Sequence, residues 1–430
     1  MTDVATRPGS RIAGAGLLRI ARSPRLALPI GAALLAVAMV VLVEKFGGRH
    51  IDLEVYRFGV WALLDGGDPY VTLPPTAVGA VLPFIYPPFA AFVLMPFALV
   101  PWEVAWPALM AASTVALAVT LYVTARALWP SGGRRGALGA AALALPLSFA
   151  LEPVHSTIDF GQVNLLLMAL VAADCLVARP RWPRGVLVGI AAAIKLTPAA
   201  FVLFFLLRGD RKAAVTAAVS GGIATLVAFA LAPTASLRFW LDNPAGGVSA
   251  APFYTNQTFQ AVLVRAGVDG VARTAAWLVL SLAVLLLAAP AIRRAPAPLA
   301  MVATAAVALL VSPTSWSHHW VWVAPAMMVL AVTAWRTRSR RWVLVTLLSV
   351  GVFVGAPHVW GLPRADGREL AWTPLQQVWG STFTWFTVLL LVALYFAWRR
   401  RPAPVAAGVP AAPAPAAPGR PDGAAAGSVG

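Results

Sequence analysis

Charge of either sign is scarce: Asp, Glu, Lys and Arg make up 11% of the 430 residues, where an ordinary soluble domain carries about 25%. That excludes a soluble globular enzyme. Cysteine is scarcer still. The single Cys175 lies inside an apolar run, which excludes a disulfide framework and any cysteine zinc site. A Walker loop, a glycine-rich dinucleotide fingerprint and a G-x-S-x-G elbow are all missing, and no stretch is large enough for a soluble nucleotide-sugar domain. What is present is apolar bulk: 60% hydrophobic residues, with 17 Trp and 19 Phe, and a mean hydropathy of +0.79. A span needs about 20 apolar residues, so the apolar runs predict an all-α polytopic membrane protein with about 11–13 transmembrane or re-entrant helices.

Lys and Arg number 33 against 16 Asp and Glu, a net charge of +17. In a soluble chain this balance suggests nucleic acid. Here the cations fall in short connectors between apolar runs: Arg134-Arg135, Arg179–Arg184, Arg208–Lys212, Arg293-Arg294, Arg336–Arg341 and Arg399–Arg401. The positive-inside rule places such connectors in the cytoplasm, against anionic headgroups. Residues 1–25, with Arg19, Arg22 and Arg25, are expected to be a cytoplasmic segment. The run Leu26–Val43 that follows is long for a signal peptide and lacks a small-residue cleavage site, so it is expected to be a retained first span. Residues 26–400 form the membrane body, and 401–430 a disordered, Pro/Ala-rich cytoplasmic tail. Strict alternation fails between Phe84 and Leu207. Pro-rich runs there, such as Phe84–Pro107 and Gly185–Leu207 with Pro198, are expected to be broken or re-entrant.

The polar stretch Glu44–Pro83 holds Asp52, Glu54, Asp65 and Asp68, and in so acid-poor a chain it is the expected extracytoplasmic working surface. If Ile51–Leu64 is helical, Asp52, Tyr56, Gly59 and Leu63 share one face, a carboxylate beside a phenol with a notch at Gly59. Glu54 falls about 200° away and cannot serve the same site. The plainer role for Asp52 is a helix cap. Tyr86, before Pro87-Pro88, suits an interfacial helix start.

Lys195 stands apart. It lies in Gly185–Leu207 at about 16–20 Å of helix from either flanking arginine, too deep for easy snorkelling. A cation there costs about 2.5–3.5 kcal/mol or more unless paired, and no acid shares its segment. An anionic ligand such as a lipid phosphate is a natural partner. Ser312–Trp320 packs His318 and His319 beside Trp316 and Trp320. An interfacial aromatic belt explains the tryptophans but not the histidines. Adjacent histidines diverge by about 100° on a helix and do not form a zinc pair. Gln162 and Asn164 stand at the mouth of a further span. Asn256-Gln257-Thr258, which also matches a short glycosylation sequon, leads to Arg265.

Asp52–Tyr56, Gly66–Tyr70, Tyr86-Pro87-Pro88, Gly161–Asn164, Ile194–Pro198, Asn256-Gln257-Thr258 and Ser315–Trp320 occur in this order. As an ordered set spanning about residues 26–400 they resemble glycosyltransferase family 87, the polyprenol-phosphate-mannose-dependent mannosyltransferases of actinobacteria. The nearest likeness is to the α-(1→2)-mannosyltransferases acting on phosphatidylinositol mannosides and lipomannan. The resemblance implies a glycosyltransferase C-type fold with an extracytoplasmic catalytic cavity. It maps an essential acid to Asp52, above its capping role, and suggests that His318 or His319 lies in the site.

The expected activity is an inverting transfer of mannose from polyprenol phosphomannose to a mannosylated glycolipid, at the outer face of the plasma membrane. Asp52 would be the base. Lys195, with Arg265 as a possible second cation, would meet the phosphate. His318 and His319 would hold phosphate or sugar oxygens, with Trp316 or Trp320 under the ring. Tyr56, Tyr86, Gln162, Asn164, Asn256 and Gln257 are further pocket candidates. Neither a metal nor a cofactor beyond the lipid-linked donor is expected, and no nucleic acid. A carrier or flippase for a lipid-linked sugar is the alternative; its site should lie nearer mid-membrane.

Overall fold

The computed structural model describes residues 23–46, 50–242, 244–364 and 366–402. The expected cytoplasmic start and Pro/Ala-rich tail fall almost wholly outside them. Helices follow one another without a strand among the described residues. They are α1 (Pro24–Phe46), α2 (Ile51–Leu64), α3 (Pro88–Leu99), α4 (Trp102–Leu128), α5 (Gly133–Ser148), α6 (Glu152–Phe160), α7 (Asn164–Leu176), α8 (Val186–Ile194) and α9 (Val202–Leu207). The second half adds α10 (Arg211–Leu231), α11 (Pro233–Asp242), α12 (Phe259–Arg265), α13 (Gly270–Arg294), α14 (Ala297–Val311), α15 (Val323–Thr337), α16 (Arg340–Gly355), α17 (Pro374–Gly380) and α18 (Thr382–Trp398).

The all-helical membrane body expected from composition stands. Five helices are long and apolar enough to cross a membrane, and seven spans result if two bent pairs, α5 with α6 and α17 with α18, each count as one. Four shorter apolar helices lie among them, so the expected 11 is reached only by counting these. Their shortness has local causes. The run Phe84–Pro107, expected to be broken or re-entrant, starts its first helix only at Pro88, because Pro87-Pro88 sets the first turn, and breaks again between Leu99 and Trp102. The stretch after Leu151 is helical as α6, at 73° to the helix before it.

α14 is buried along nearly its whole length and is the central post. α1, α10, α13 and α16 turn apolar side chains such as Val37, Leu226, Val279 and Leu347 outward, as helices facing hydrocarbon do. Helix ends pose the harder problem, since each leaves its last carbonyls unpaired and lipid supplies no donor. Arginines outside each helix supply it. Arg57 donates to Phe97 and Val100 O at the end of α3. Arg184 does so for Asp174 and Val177 at the end of α7, and Arg208 for Ile292 and Ala295 at the end of α13. Arg336 reaches Leu128 at the end of α4, and Arg294 reaches Trp398 and Arg399 at the end of α18. Part of the positive charge is therefore internal joinery as well as topology.

The start of α2 is pinned to the end of α6. The His50 ring meets the carbonyls of Ile158 and Asp159 through Nδ1, 3.1 Å in each case, and stacks on Trp106 with 5.2 Å between centroids. Gly161 closes α6 in the left-handed region at φ 68°. A Cβ there would stand 2.9 Å from Leu53 Cβ and 3.0 Å from His50 Cβ. Gly161→Ala therefore meets both a disfavoured backbone and an occupied space, at a cost of about 1–3 kcal/mol. Its apparent melting temperature in detergent is expected to fall by several degrees; an unchanged value would mean that α2 and α6 do not approach so closely.

Candidate active site

The site is assembled where helices begin or break. Ile51–Leu64 is a helix, as the pattern predicts, but Asp52 does not cap it: His50 occupies the N-cap position, without a side-chain cap bond. The Asp52 carboxylate instead takes a hydrogen bond from Gln162, which Gly161 delivers on leaving α6. The notch at Gly59 is filled by the Phe84 ring, which a Cβ would meet at 2.4 Å. Glu54 turns away, as the helical angle requires, and accepts from the Ala77 N–H at 2.7 Å.

Lys195 marks a break. α8 stops at Ile194, and Lys195 is extended at φ −149° and ψ 130°. Pro198 then opens a short 3-10 turn, Thr197–Phe201, before α9. The lysine thus leaves the helix barrel and enters a cavity. His318 and His319 arrive on another 3-10 turn, Ser317–Trp322. Glu152 at the start of α6 accepts from Ser317 Oγ at 2.8 Å, and Thr157 donates to His318 O.

One chain of hydrogen bonds, with a cation–ring contact between Tyr86 and Lys195, runs through these parts. Tyr56 donates to Gln162 Oε1 at 2.7 Å, and Gln162 Nε2 donates to the Tyr86 hydroxyl at 3.2 Å. The Tyr86 ring lies 5.4 Å from Lys195 Nζ. Lys195 donates to Asn164 Oδ1 at 3.0 Å and meets His319 Nε2 at 3.2 Å. Asn164 Nδ2 donates to His318 O at 3.0 Å. The Phe160 ring lies against that of His318, 4.6 Å between centroids.

The cavity has a volume of about 1270 Å³. Asp52, Tyr86, Gln162, Lys195, Trp316, His318 and His319 all line it. An apolar wing extends from this polar end along Leu203, Leu282, Leu285, Val307 and Val311. Desolvation in the wall pushes the Asp52 carboxyl up to about 6, against the opposing pull of the Gln162 amide and the Lys195 charge. Burial, reinforced by Lys195, holds both imidazoles well below the ordinary histidine range, so each ring is neutral.

Several expected residues stand elsewhere. Tyr56 and Asn164 are buried behind the wall and act on it through their hydrogen bonds, Tyr56 to Gln162 and Tyr86, Asn164 to Lys195 and His318 O. Arg265 does not face the cavity as a second cation. Its guanidinium donates to the carbonyls of Pro252, Phe253 and Asn256 and to Ser381 Oγ, over the Trp372 ring. Asn256 and Gln257 are fully buried. Asn256 Oδ1 accepts from Ser315 N at 3.1 Å, and Gln257 Nε2 donates to Gly380 O at 2.7 Å. They clamp the strand-like pairing of Asn256 with Trp316, which sets Trp316 in the cavity wall. An asparagine so enclosed is no glycan acceptor. Trp320 packs into the core against Phe353 and Phe383, leaving Trp316 as the tryptophan of that segment that can meet a ligand. Phe160, Glu152 and Phe239 were not singled out from sequence. An acid within a largely apolar region was the available signal for Glu152; the two phenylalanines offered none.

The family model of glycosyltransferase family 87 matches residues 84–313. A polyprenol-phosphate-mannose-dependent alpha-(1-2)-phosphatidylinositol mannoside mannosyltransferase of Mycolicibacterium smegmatis is 38% identical over 369 residues, covering 80% of this chain and 83% of that protein. Its namesake from Mycobacterium tuberculosis is 36% identical over 360 residues, covering 80% and 84%. A polyprenol-phosphate-mannose-dependent alpha-(1-2)-phosphatidylinositol pentamannoside mannosyltransferase of M. smegmatis is 33% identical over 359 residues, covering 76% and 82%. Among solved structures, ArnT from Cupriavidus metallidurans bound to undecaprenyl phosphate aligns with a TM-score of 0.44 at 16% identity, covering 85% of this chain and 75% of that one.

Proposed function

The chain belongs to glycosyltransferase family 87, and from that premise we propose that it moves mannose from polyprenol phosphomannose to a mannose hydroxyl of a phosphatidylinositol mannoside or lipomannan-type glycolipid, forming an α-(1→2) linkage. Family membership sets aside the carrier alternative. The observation that carries the reading is that Asp52 and Lys195, far apart in sequence, line one cavity with an apolar wing. That wing offers the prenyl chain a channel continuous with the phosphate end.

A β-linked donor and an α product require one displacement with inversion. The acceptor oxygen bonds to the anomeric carbon as the bond from that carbon to the phosphate oxygen breaks. Asp52 takes the acceptor proton, and polyprenyl phosphate departs with the electron pair. The leaving group needs no proton, only a counter-charge, which Lys195 supplies from a water-poor wall where it acts strongly. His319 and His318 offer neutral ring nitrogens to phosphate or sugar oxygens, and Trp316 offers a flat face to the sugar. No cofactor enters the scheme, because the donor brings its own activated phosphate.

The cavity is assigned to the extracytoplasmic side. Arg211 and Lys212 open α10, whose far end leads into cavity-lining Phe239. Arg293 and Arg294 close α13, whose opposite half carries Leu278 and Leu282 to the cavity. α15 runs from the histidine turn to Arg336. Arg238 and Arg273 are each paired with a carboxylate. The other cations of these helices lie at the ends away from the cavity, and this bias, read with the positive-inside rule, supports an outward-facing site.

Asp52→Asn keeps the Gln162 partner but loses the base, and transfer of labelled mannose to a panel of mannosylated glycolipids is expected to fall by about 10²–10⁴-fold at unchanged expression. Turnover near the wild-type rate would contradict the assignment. The base works ionised, so kcat/KM is expected to be flat above a pH of about 6 and to drop about tenfold per unit below it. A profile with no acid limb between pH 4 and about 6.5 would oppose the role given to this carboxylate.

A further inference from the structure

Lys195 is a half-buried cation held by uncharged partners. Its ammonium meets the Asn164 carbonyl oxygen, the neutral His319 Nε2 and the face of Tyr86. Among the described residues no ion pair involves it; Asp52 acts on it across the cavity rather than in contact. A buried ammonium ordinarily recruits a carboxylate. Here the position that could supply one is asparagine, of the same shape as aspartate. The Asn164 amide is fixed at both ends, its Oδ1 on Lys195 and its Nδ2 on His318 O at 3.0 Å and Thr157 Oγ1 at 3.3 Å. Turning it over would set donors against the ammonium and oxygen against oxygen, so the network assigns the orientation. Being the first residue of α7, it is also held by the backbone of that helix.

We infer that Asn164 is a positioning residue that holds Lys195 through a neutral acceptor, so that the ammonium charge is left for the phosphate of the lipid-linked donor. Asn164 does not line the cavity, so it would act on the phosphate through Lys195, while its Nδ2 holds the His318 backbone. An aspartate at 164 would grip the ammonium at least as firmly and cancel its charge. For the Lys195 contact a purely structural role and this one therefore make opposite statements about the same substitution, and the melting temperature reports the loss of the Nδ2 bonds to His318 O and Thr157 Oγ1. The inference rests on the reading of Lys195 given above, and its test keeps the two separable.

The measurement is binding of a polyprenyl phosphate to the full-length protein in phosphatidylcholine nanodiscs, with the apparent melting temperature recorded alongside. Asn164→Asp is expected to weaken binding at least tenfold while melting within a few degrees of wild type, and to raise the KM for the donor without changing that for the acceptor. Binding equal to wild type in Asn164→Asp overturns the inference. Should that variant fail to fold, the second contact of Lys195 serves. His319→Glu is then expected to lose polyprenyl phosphate binding at least tenfold relative to His319→Gln, and equal binding by these two overturns the inference. Lys195→Ala is the control for the underlying reading. If it binds as wild type does, Lys195 is not the phosphate site; if it loses binding while Asn164→Asp retains it, only the role of Asn164 fails.

Discussion

One unneutralised charge organises this molecule. Lys195 sits within an apolar helical body, where a cation without an acid costs free energy that the fold must offset elsewhere. The structure reduces the cost by breaking a helix around it, surrounding it with an amide oxygen, an imidazole nitrogen and an aromatic face, and opening it to a cavity. Each contact is modest, and none removes the charge. The site is thus prepared for an anion before one arrives, which is the condition for electrostatic stabilisation of a leaving phosphate.

The arginines show the contrasting use of charge. Arg57, Arg184, Arg208, Arg294 and Arg336 spend their donors on helix-end carbonyls, and Arg265 spends its own on a loop. The planar guanidinium, with several fixed donors, suits that task, whereas the compact ammonium suits a point anion. This division explains why a chain so rich in arginine places a lysine at its cavity. It also explains why Arg265, which looked from sequence like a second phosphate ligand, is a clamp that helps keep Trp316 in place.

Much of the architecture was legible beforehand, for physical reasons. Low charge and long apolar runs leave few choices but membrane helices, and a lysine in mid-run has no cheap explanation, so Lys195 stood out unaided. Asp52 did not: on local pattern it was a helix cap, and only its place within an ordered set of motifs raised it. Illegible were the contacts that depend on chain segments meeting. That Gln162 would reach Asp52, that Asn164 would stand behind Lys195 rather than in the pocket, and that Asn256 and Gln257 would be sealed inside a loop all follow from tertiary approach. The break in Gly185–Leu207 was announced by Pro198, though not its place at Lys195, and the one after Leu151 was harder still, because hydropathy averages across it: prolines advertise a weak point without fixing the angle.

The most direct measurement is an experimental structure of the full-length protein with a polyprenyl phosphate bound. This account predicts a phosphate oxygen about 3 Å from Lys195 Nζ, the prenyl chain along Leu282, Leu285 and Val307, and the Asp52 carboxylate facing the space a sugar would fill. A phosphate seated away from Lys195, with that ammonium still bound only to Asn164 and His319, would contradict it.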